Sequence, residues 1–413
     1  MALRDWYADR ELLLTGVTSD VGRALLEKIL RSLPDVKVYA IVRSRHGFNK
    51  DDRIKNIFLS PRFERLRQEA PNAISRVKAL EGNLLYDGLG TTRADKELLR
   101  NVSVVLHAAG PYNEVFRLCQ KLPRLQAAAA ITSIFHHDGR IAESLEREEE
   151  AIDGPVALVR VPLVGPALRE PMPGFVDLLK GPTALMVGAG FALGNSEFQA
   201  EIIPIDLTVN TLIAVAWERA TAKNVETAVV CNAVSIGCTW SDLIKKGRRG
   251  NQKFAYPTFG IRGMTSVVAL YRILVLLFEW LPSTLCDAIL GLIGAKKRYN
   301  ELEIYDILNF DSSRTTLGNR VYLLQQRLTP EDQDAFPVST EIDVESYVLC
   351  AAAAAKKYCV DEGNISLVKI FRLLFFFLIS VLWSRVYSCI LRETLSRKIH
   401  GISIRLPNGH SCT

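Results

Sequence analysis

Apolar and polar positions follow two alternating periods over the first half of the chain. Short apolar runs stand at 11–15, 36–42 (VKVYAIV), 77–81, 102–109 (VSVVLHAA), 127–135 (AAAAITSIF) and 156–161 (VALVRV). Between them lie helical patterns: Val21, Leu25, Leu26, Ile29 and Leu30 after the first run, then 53–67, 114–121 and an acidic stretch at 143–152. Runs that are apolar on both faces suit strands buried in a parallel sheet. Their alternation with helices predicts an α/β chain with a Rossmann-like, doubly wound parallel sheet.

The first unit carries the most chemistry. In 11–22 (ELLLTGVTSDVG) a strand runs straight into Thr15-Gly16, and a helix follows at once. The first N–H groups of a helix are unpaired and its dipole favours an anion, so a tight turn there suits the pyrophosphate of a dinucleotide. Gly16 and Gly22 take the outer glycine places, Ser19 stands where a middle glycine is usual, and Thr15, Thr18 and Val21 complete the turn. The Ser19 hydroxyl can donate a hydrogen bond to the phosphate. Asp20 fits less well: its charge would repel a phosphate, although it would serve as a helix N-cap. An ordinary turn without a ligand would use the same residues.

The second run ends at Arg43, with Arg45 close behind and no acid. An acid at that strand end selects NAD, whereas arginine suits the 2′-phosphate of NADP, so NADPH is the expected cofactor; a solvated basic pair is the alternative. Asn83 after the third run and His107-Ala108 at the end of the fourth complete the candidate cofactor contacts. Small residues at that strand end leave room for a ligand, and a single histidine there serves structure as readily as chemistry.

Composition narrows the classes. The 413 residues are 48% hydrophobic, enough for one large or two medium buried cores. A net charge of +6 with no long basic run implies no nucleic-acid partner and leaves a membrane surface open. Eight cysteines (119, 231, 238, 286, 350, 359, 389, 412) lack any C-x-x-C pair, so no metal is expected and the thiols read as reduced and cytosol-facing. Only Leu12–Leu14 is apolar near the start, too little for a secretory signal. In the second half, 266–281 carries Arg272 and Glu279 and reads as a buried or interfacial helix. The run 373–383 (LLFFFLISVLW) extends to membrane length over 370–391, with Arg372 able to snorkel and Arg385 less well placed. Both a span and one-sided anchoring are open for 365–391, and 392–413 is a tail.

The series Arg160-Val161-Pro162-Leu163-Val164-Gly165, Glu170-Pro171-Met172-Pro173-Gly174-Phe175-Val176-Asp177, Gly181-Pro182-Thr183 and Val187-Gly188-Ala189-Gly190 resembles the alcohol-forming fatty acyl-CoA reductases. Pro204-Ile205-Asp206-Leu207-Thr208-Val209-Asn210 with Ala214, Ala216 and Trp217 continues the likeness. Thr15-Gly16, Leu25-Leu26-Glu27-Lys28 and Val38-Tyr39-Ala40-Ile41-Val42-Arg43 fit it too. Glu279-Trp280-Leu281-Pro282, Asp287, Asp311, Ile342-Asp343 and Tyr347 resemble that family's C-terminal helical domain. The resemblance implies a reductase domain over 1–240 and a mostly helical domain over 262–362 that leads into the membrane-associated segment. The boundary falls at 240–262, where 245–250 and 257–260 read as linker or surface loop. It also implies a long-chain acyl-CoA substrate, a fatty alcohol product, and an intracellular membrane, that of the endoplasmic reticulum, as location.

Enzymes of this fold class pair a tyrosine with a lysine four residues on, so that the cation lowers the phenol's pKa. None of the twelve tyrosines has that lysine. By the resemblance the pair falls at His136 and Arg140, and Ser133 matches the hydroxyl that holds the substrate carbonyl. His136 is the candidate acid, although Asp138 and Gly139 favour a turn over a helix. Two readings follow: an NADPH-dependent reductase, or a non-catalytic membrane-bound relative that keeps the acyl or nucleotide site.

Overall fold

A computed structural model describes residues 1–108, 110–136, 140–143, 154–177, 183, 191–222, 229–251, 263–281, 284, 288, 315–316, 318–359, 381, 384, 385 and 388. Met1–Lys253 and Thr258–Asp361 form one compact unit, and Phe254–Pro257 with Glu362–Thr413 a second. Most of the apolar segment 365–391 therefore lies outside the described residues. Among the described residues no helix is long and apolar enough to cross a membrane.

The first helix, α1, is Leu3–Tyr7, and the strands in chain order are β1 Glu11–Thr15, β2 Lys37–Val42, β3 Val77–Glu81, β4 Val104–His107, β5 Ala127–Ser133, β6 Arg140–Ile141, β7 Val156–Val161, β8 Leu163–Gly165, β9 Phe191–Leu193, β10 Ile202–Pro204, β11 Val229–Asn232, β12 Gly263–Thr265 and β13 Thr315–Thr316. Seven of them make one sheet in the order β11-β7-β5-β4-β1-β2-β3, all neighbours parallel. Each expected strand is there, some shorter than its apolar run. The run at 102–109 forms a strand only over Val104–His107, and that at 127–135 stops at Ser133 before a 3₁₀ turn, Ile134–His136. The acidic stretch beyond Glu143 lies outside the described residues.

Side chains along β1 alternate between two cores, as a pleated strand requires. Leu12 and Leu14 join one core with Leu25, Ile29, Val38 and the helix Ile205–Thr221, while Leu13 joins the other with Tyr39, Leu80, Val105 and Phe116. The helix Ile205–Thr221 is buried nearly all round because it lies between the sheet and the segment 318–359. That segment packs on the same unit. Leu3 N donates to Asp332 Oδ2 at 2.7 Å, Asn210 Nδ2 to the Pro337 carbonyl at 3.0 Å, and Tyr347 Oη to the Pro166 carbonyl at 2.8 Å.

The stretch 245–250, expected as a loop, is helix: Trp240–Asn251. Trp240, Leu243 and Ile244 are buried at helical spacing, and Thr239 Oγ1 accepts from Asp242 N at 3.2 Å. Packing of that apolar face outweighs the cost of Gly247 and Gly250, about 1 kcal/mol each.

The residues 166–177 that carried much of the resemblance strap this body together. Asp206 accepts from the backbone N–H groups of Leu168, Arg169 and Glu170 at 2.8, 2.7 and 3.1 Å. Glu170 pairs with Lys28, with Arg31 at 3.2 Å and with Arg65 at 3.3 Å. Burial opposes the Glu170 charge, but Lys28 and Arg31 outweigh it and hold its pKa below the usual value. Asp177 takes Arg62 at 2.8 Å.

Candidate active site at the carboxyl edge of the sheet

Strand order reverses at β1, with β2 and β3 to one side and β4 and β5 to the other. In open parallel sheets such a reversal leaves a crevice beyond the carboxyl ends of the two diverging strands. The turn 16–22 lies at that edge.

Gly16 adopts φ 81°, a conformation that costs glycine little. A Cβ on Gly22 would stand 2.0 Å from the Gly16 carbonyl oxygen, so only glycine lets the helix α2 (Asp20–Ser32) start this close to the strand. Ser19, not Asp20, is the N-cap, its hydroxyl accepting from Gly22 N at 2.9 Å. That hydroxyl donates to the Ala108 carbonyl at 3.3 Å, so its proton ties the turn to the end of β4. Asp20 pairs with Arg23 at 2.5 Å, which offsets the charge that would oppose a phosphate. Among the described residues the N–H groups of Asp20 and Val21 meet no acceptor, and Thr18 is exposed beside them. The turn therefore fits the pyrophosphate of a dinucleotide: a close glycine packing, a capped helix start and two available amides.

Thr15 and His107 face each other across β1 and β4. The His107 Nε2 lies 3.0 Å from the Gly110 carbonyl, so this nitrogen carries the proton, and Nδ1 accepts from the Thr15 hydroxyl at 2.7 Å. Burial pushes the His107 pKa down, against the Gly110 carbonyl, and the ring is neutral. Both side chains are engaged in fixing the two strand ends, and Ala108 N closes on the Thr15 carbonyl at 3.1 Å. Asn83 borders the same edge, its side chain accepting from Leu85 N at 3.2 Å.

At the end of β2, Arg43 and Arg45 are exposed, as an adenosine phosphate would require. Two neighbours were not anticipated. Arg53, from α3 (Lys50–Leu59), donates to the Arg43 carbonyl; partial burial and then the charges of Arg43 and Arg45 hold its pKa down. Three guanidinium groups thus share this corner. Glu81 at the end of β3 accepts from Ser44 N and Oγ, both at 2.7 Å. The periodicity of α3 marked Arg53 only as a helix-surface charge, and no local signal links it to β2.

Ser133 ends β5, three residues past Ala130, the partner of His107. At about 3.3 Å per residue it projects roughly 10 Å beyond the end of β4, over the crevice side. Its Oγ accepts from Phe135 N at 3.1 Å, which leaves its proton to donate. His136 closes the 3₁₀ turn and Arg140 opens β6, paired with Thr315. The spacing of four does not place them on one helix, as Asp138 and Gly139 foreshadowed.

A family model described as male sterility protein, an NAD-binding domain, matches residues 14–127, the span from the end of β1 to the start of β5. With the sheet and the turn, this defines a Rossmann-like fold that binds a nicotinamide nucleotide. The chain is 25% identical to fatty acyl-CoA reductase 1 of Mus musculus, over 88% of this chain and 87% of that one. It is 24% identical to fatty acyl-CoA reductase wat of Drosophila melanogaster, over 80% of each. Among solved structures, the reductase domain of a non-ribosomal peptide synthetase from Mycobacterium tuberculosis shares the fold, with a TM-score of 0.59 at 16% identity over 84% of this chain and 92% of that one. The chain thus resembles fatty acyl-CoA reductases over most of its length, and these likenesses do not favour the non-catalytic reading.

Proposed function

We propose that this chain reduces long-chain acyl-CoA to a primary fatty alcohol at the expense of NADPH. The observation that carries the proposal is the glycine turn at the reversal of the sheet, in a chain whose relatives are named fatty acyl-CoA reductases over most of its length. Gly16, Thr18, Ser19, Val21 and Gly22 with Ala108 and Asn83 form the nucleotide cradle, and Thr15 with His107 sets its width. Arg43, Arg45 and Arg53 take the 2′-phosphate, which separates NADPH from NADH.

The nicotinamide supplies hydride in two successive reductions. In the first, hydride would add to the thioester carbon and CoA would leave as its thiolate, giving the aldehyde. In the second, hydride and a proton convert the aldehyde to the alcohol. Ser133 donates its hydroxyl proton in a hydrogen bond to the substrate carbonyl oxygen, and His136 is the source of the proton. The apolar segment 365–391 holds the chain on an intracellular membrane, that of the endoplasmic reticulum, with the reductase body facing the cytosol; its composition supports this.

Purified full-length protein given a long-chain acyl-CoA should oxidise NADPH and release free CoA and alcohol. Absence of NADPH oxidation, in detergent and in vesicles alike, would overturn the proposal.

A further inference from the structure

The helix Val268–Val275 continues through a π turn, Leu276–Trp280, and presents an apolar face to solvent. Ile273, Leu276 and Trp280 recur at helical spacing and are each about half exposed (52%, 50% and 48%), with Leu270, Leu277 and Leu281 beside them at 45%, 48% and 44%. Tyr271, on the opposite side, is buried. Surface helices of globular proteins carry polar residues outward, and this one reverses that order. A tryptophan at the end of such a stripe suits the depth of lipid headgroups.

What covers the stripe is indicated by charge. The helix Trp240–Asn251 and the helix Val268–Val275 both contact β12, so the two flank one strand. Residues 240–253 hold five basic residues (Lys245, Lys246, Arg248, Arg249, Lys253) against one acid, Asp242. Lys245 and Arg272 are exposed. An apolar stripe with a tryptophan and an exposed arginine, on a body whose neighbouring helix carries an exposed lysine, has the composition of a surface that lies against an anionic bilayer.

We infer that the reductase body itself docks on an anionic phospholipid surface through the helix Val268–Val275 and its π-turn extension, with Lys245 and Lys246 of the helix Trp240–Asn251 set against the headgroups. This deepens the membrane reading of the proposed function and rests on it. It adds a second contact, one that fixes the attitude of the body to the lipid rather than merely tethering it.

The five tryptophans make the test direct. Trp6, Trp217 and Trp240 are buried, so in a Trp383→Phe full-length protein Trp280 is the exposed reporter. Vesicles of phosphatidylcholine and phosphatidylserine containing brominated acyl chains should quench its emission. The Ile273→Asp/Leu277→Asp variant should lose that quenching while still floating with the vesicles through 365–391. Changing Lys245 and Lys246 to Gln should weaken the Trp280 contact about fivefold per lysine, with no effect on neutral vesicles. Flotation with Trp280 unquenched would overturn the docking surface and leave the tether standing. Failure to float at all would overturn both. Unquenched Trp280 with concentration-dependent dimers in sedimentation would assign the stripe to a second copy of the chain and overturn the inference.

Discussion

The two ends of the site stand on one edge of the same sheet and are built by different means. Between β1 and β4 the cradle is made by backbone: Gly16 in a left-handed conformation, Gly22 packed on it, Ser19 capping α2 and bridging to Ala108. Past β5 the proposed chemistry would rest on side chains instead, that of Ser133 at the strand end and that of His136 three residues on in the sequence, at the close of a 3₁₀ turn. A backbone cradle tolerates change outside its glycines. A side-chain end is sensitive to each substitution, and here the tyrosine-lysine pair usual in this fold class has no counterpart in the sequence.

The sharpest break in that comparison is His136→Ala. A positioned proton donor contributes on the order of 10² to 10⁴ in rate, so kcat should fall by that range with NADPH affinity unchanged. Ser133→Ala should act in the same direction, read by the same kcat and binding pair. Unaltered turnover in His136→Ala would assign the proton to another residue.

Gly22→Val should give the opposite pattern, with nucleotide binding lost and the fold weakened by about 1–3 kcal/mol, because the new Cβ meets the Gly16 carbonyl. NADPH titration and a urea melt would read the two effects. Binding at wild-type strength would remove the turn from the site.

Arg53→Glu should cost roughly 1.5–3 kcal/mol of NADPH affinity and little for NADH. Equal losses for both nucleotides would make Arg53 a structural support of the Arg43 carbonyl rather than a contact to the 2′-phosphate.

The smallest effect is one of pH. His107 is neutral in the fold, with its pKa depressed below 6.5. A depressed folded value contributes stability that is present above 6.5 and is lost as pH falls through the folded value. Unfolding free energy should therefore decline as pH drops below about 6.5, and Thr15→Val should lower it further by about 1–3 kcal/mol by stranding Nδ1. A flat profile in which Thr15→Val is silent would show that this pair does not hold β1 to β4.

Much of this was legible in the residues. Apolar runs bounded by amphipathic stretches located six of the seven strands of the main sheet, all but β11, and the turn at 16–22 stood out by its glycines. What escaped was whatever depends on distant partners. Ser19 rather than Asp20 is the cap because the backbone is still extended at Ser19 and helical from Asp20, a boundary that the residue types alone do not fix. Residues 245–250 looked like a linker from their glycines and charges, yet Trp240, Leu243 and Ile244 find a buried place and the helix forms. Arg53 joins Arg43 only through the packing of α3 on β2, and Glu81 meets Ser44 only across neighbouring strands. The series Glu170–Asp177, a specific likeness in the sequence, proved to be a strap of partly buried ion pairs.

The central claim is that hydride from NADPH enters the acyl carbonyl carbon in two rounds on this chain. NADPH deuterated at the transferring position, incubated with the full-length protein and a long-chain acyl-CoA, tests it most directly by mass spectrometry of the product. The account predicts a primary alcohol whose carbinol carbon carries deuterium from both transfers; NADPH that binds but leaves no deuterium in aldehyde or alcohol would contradict it.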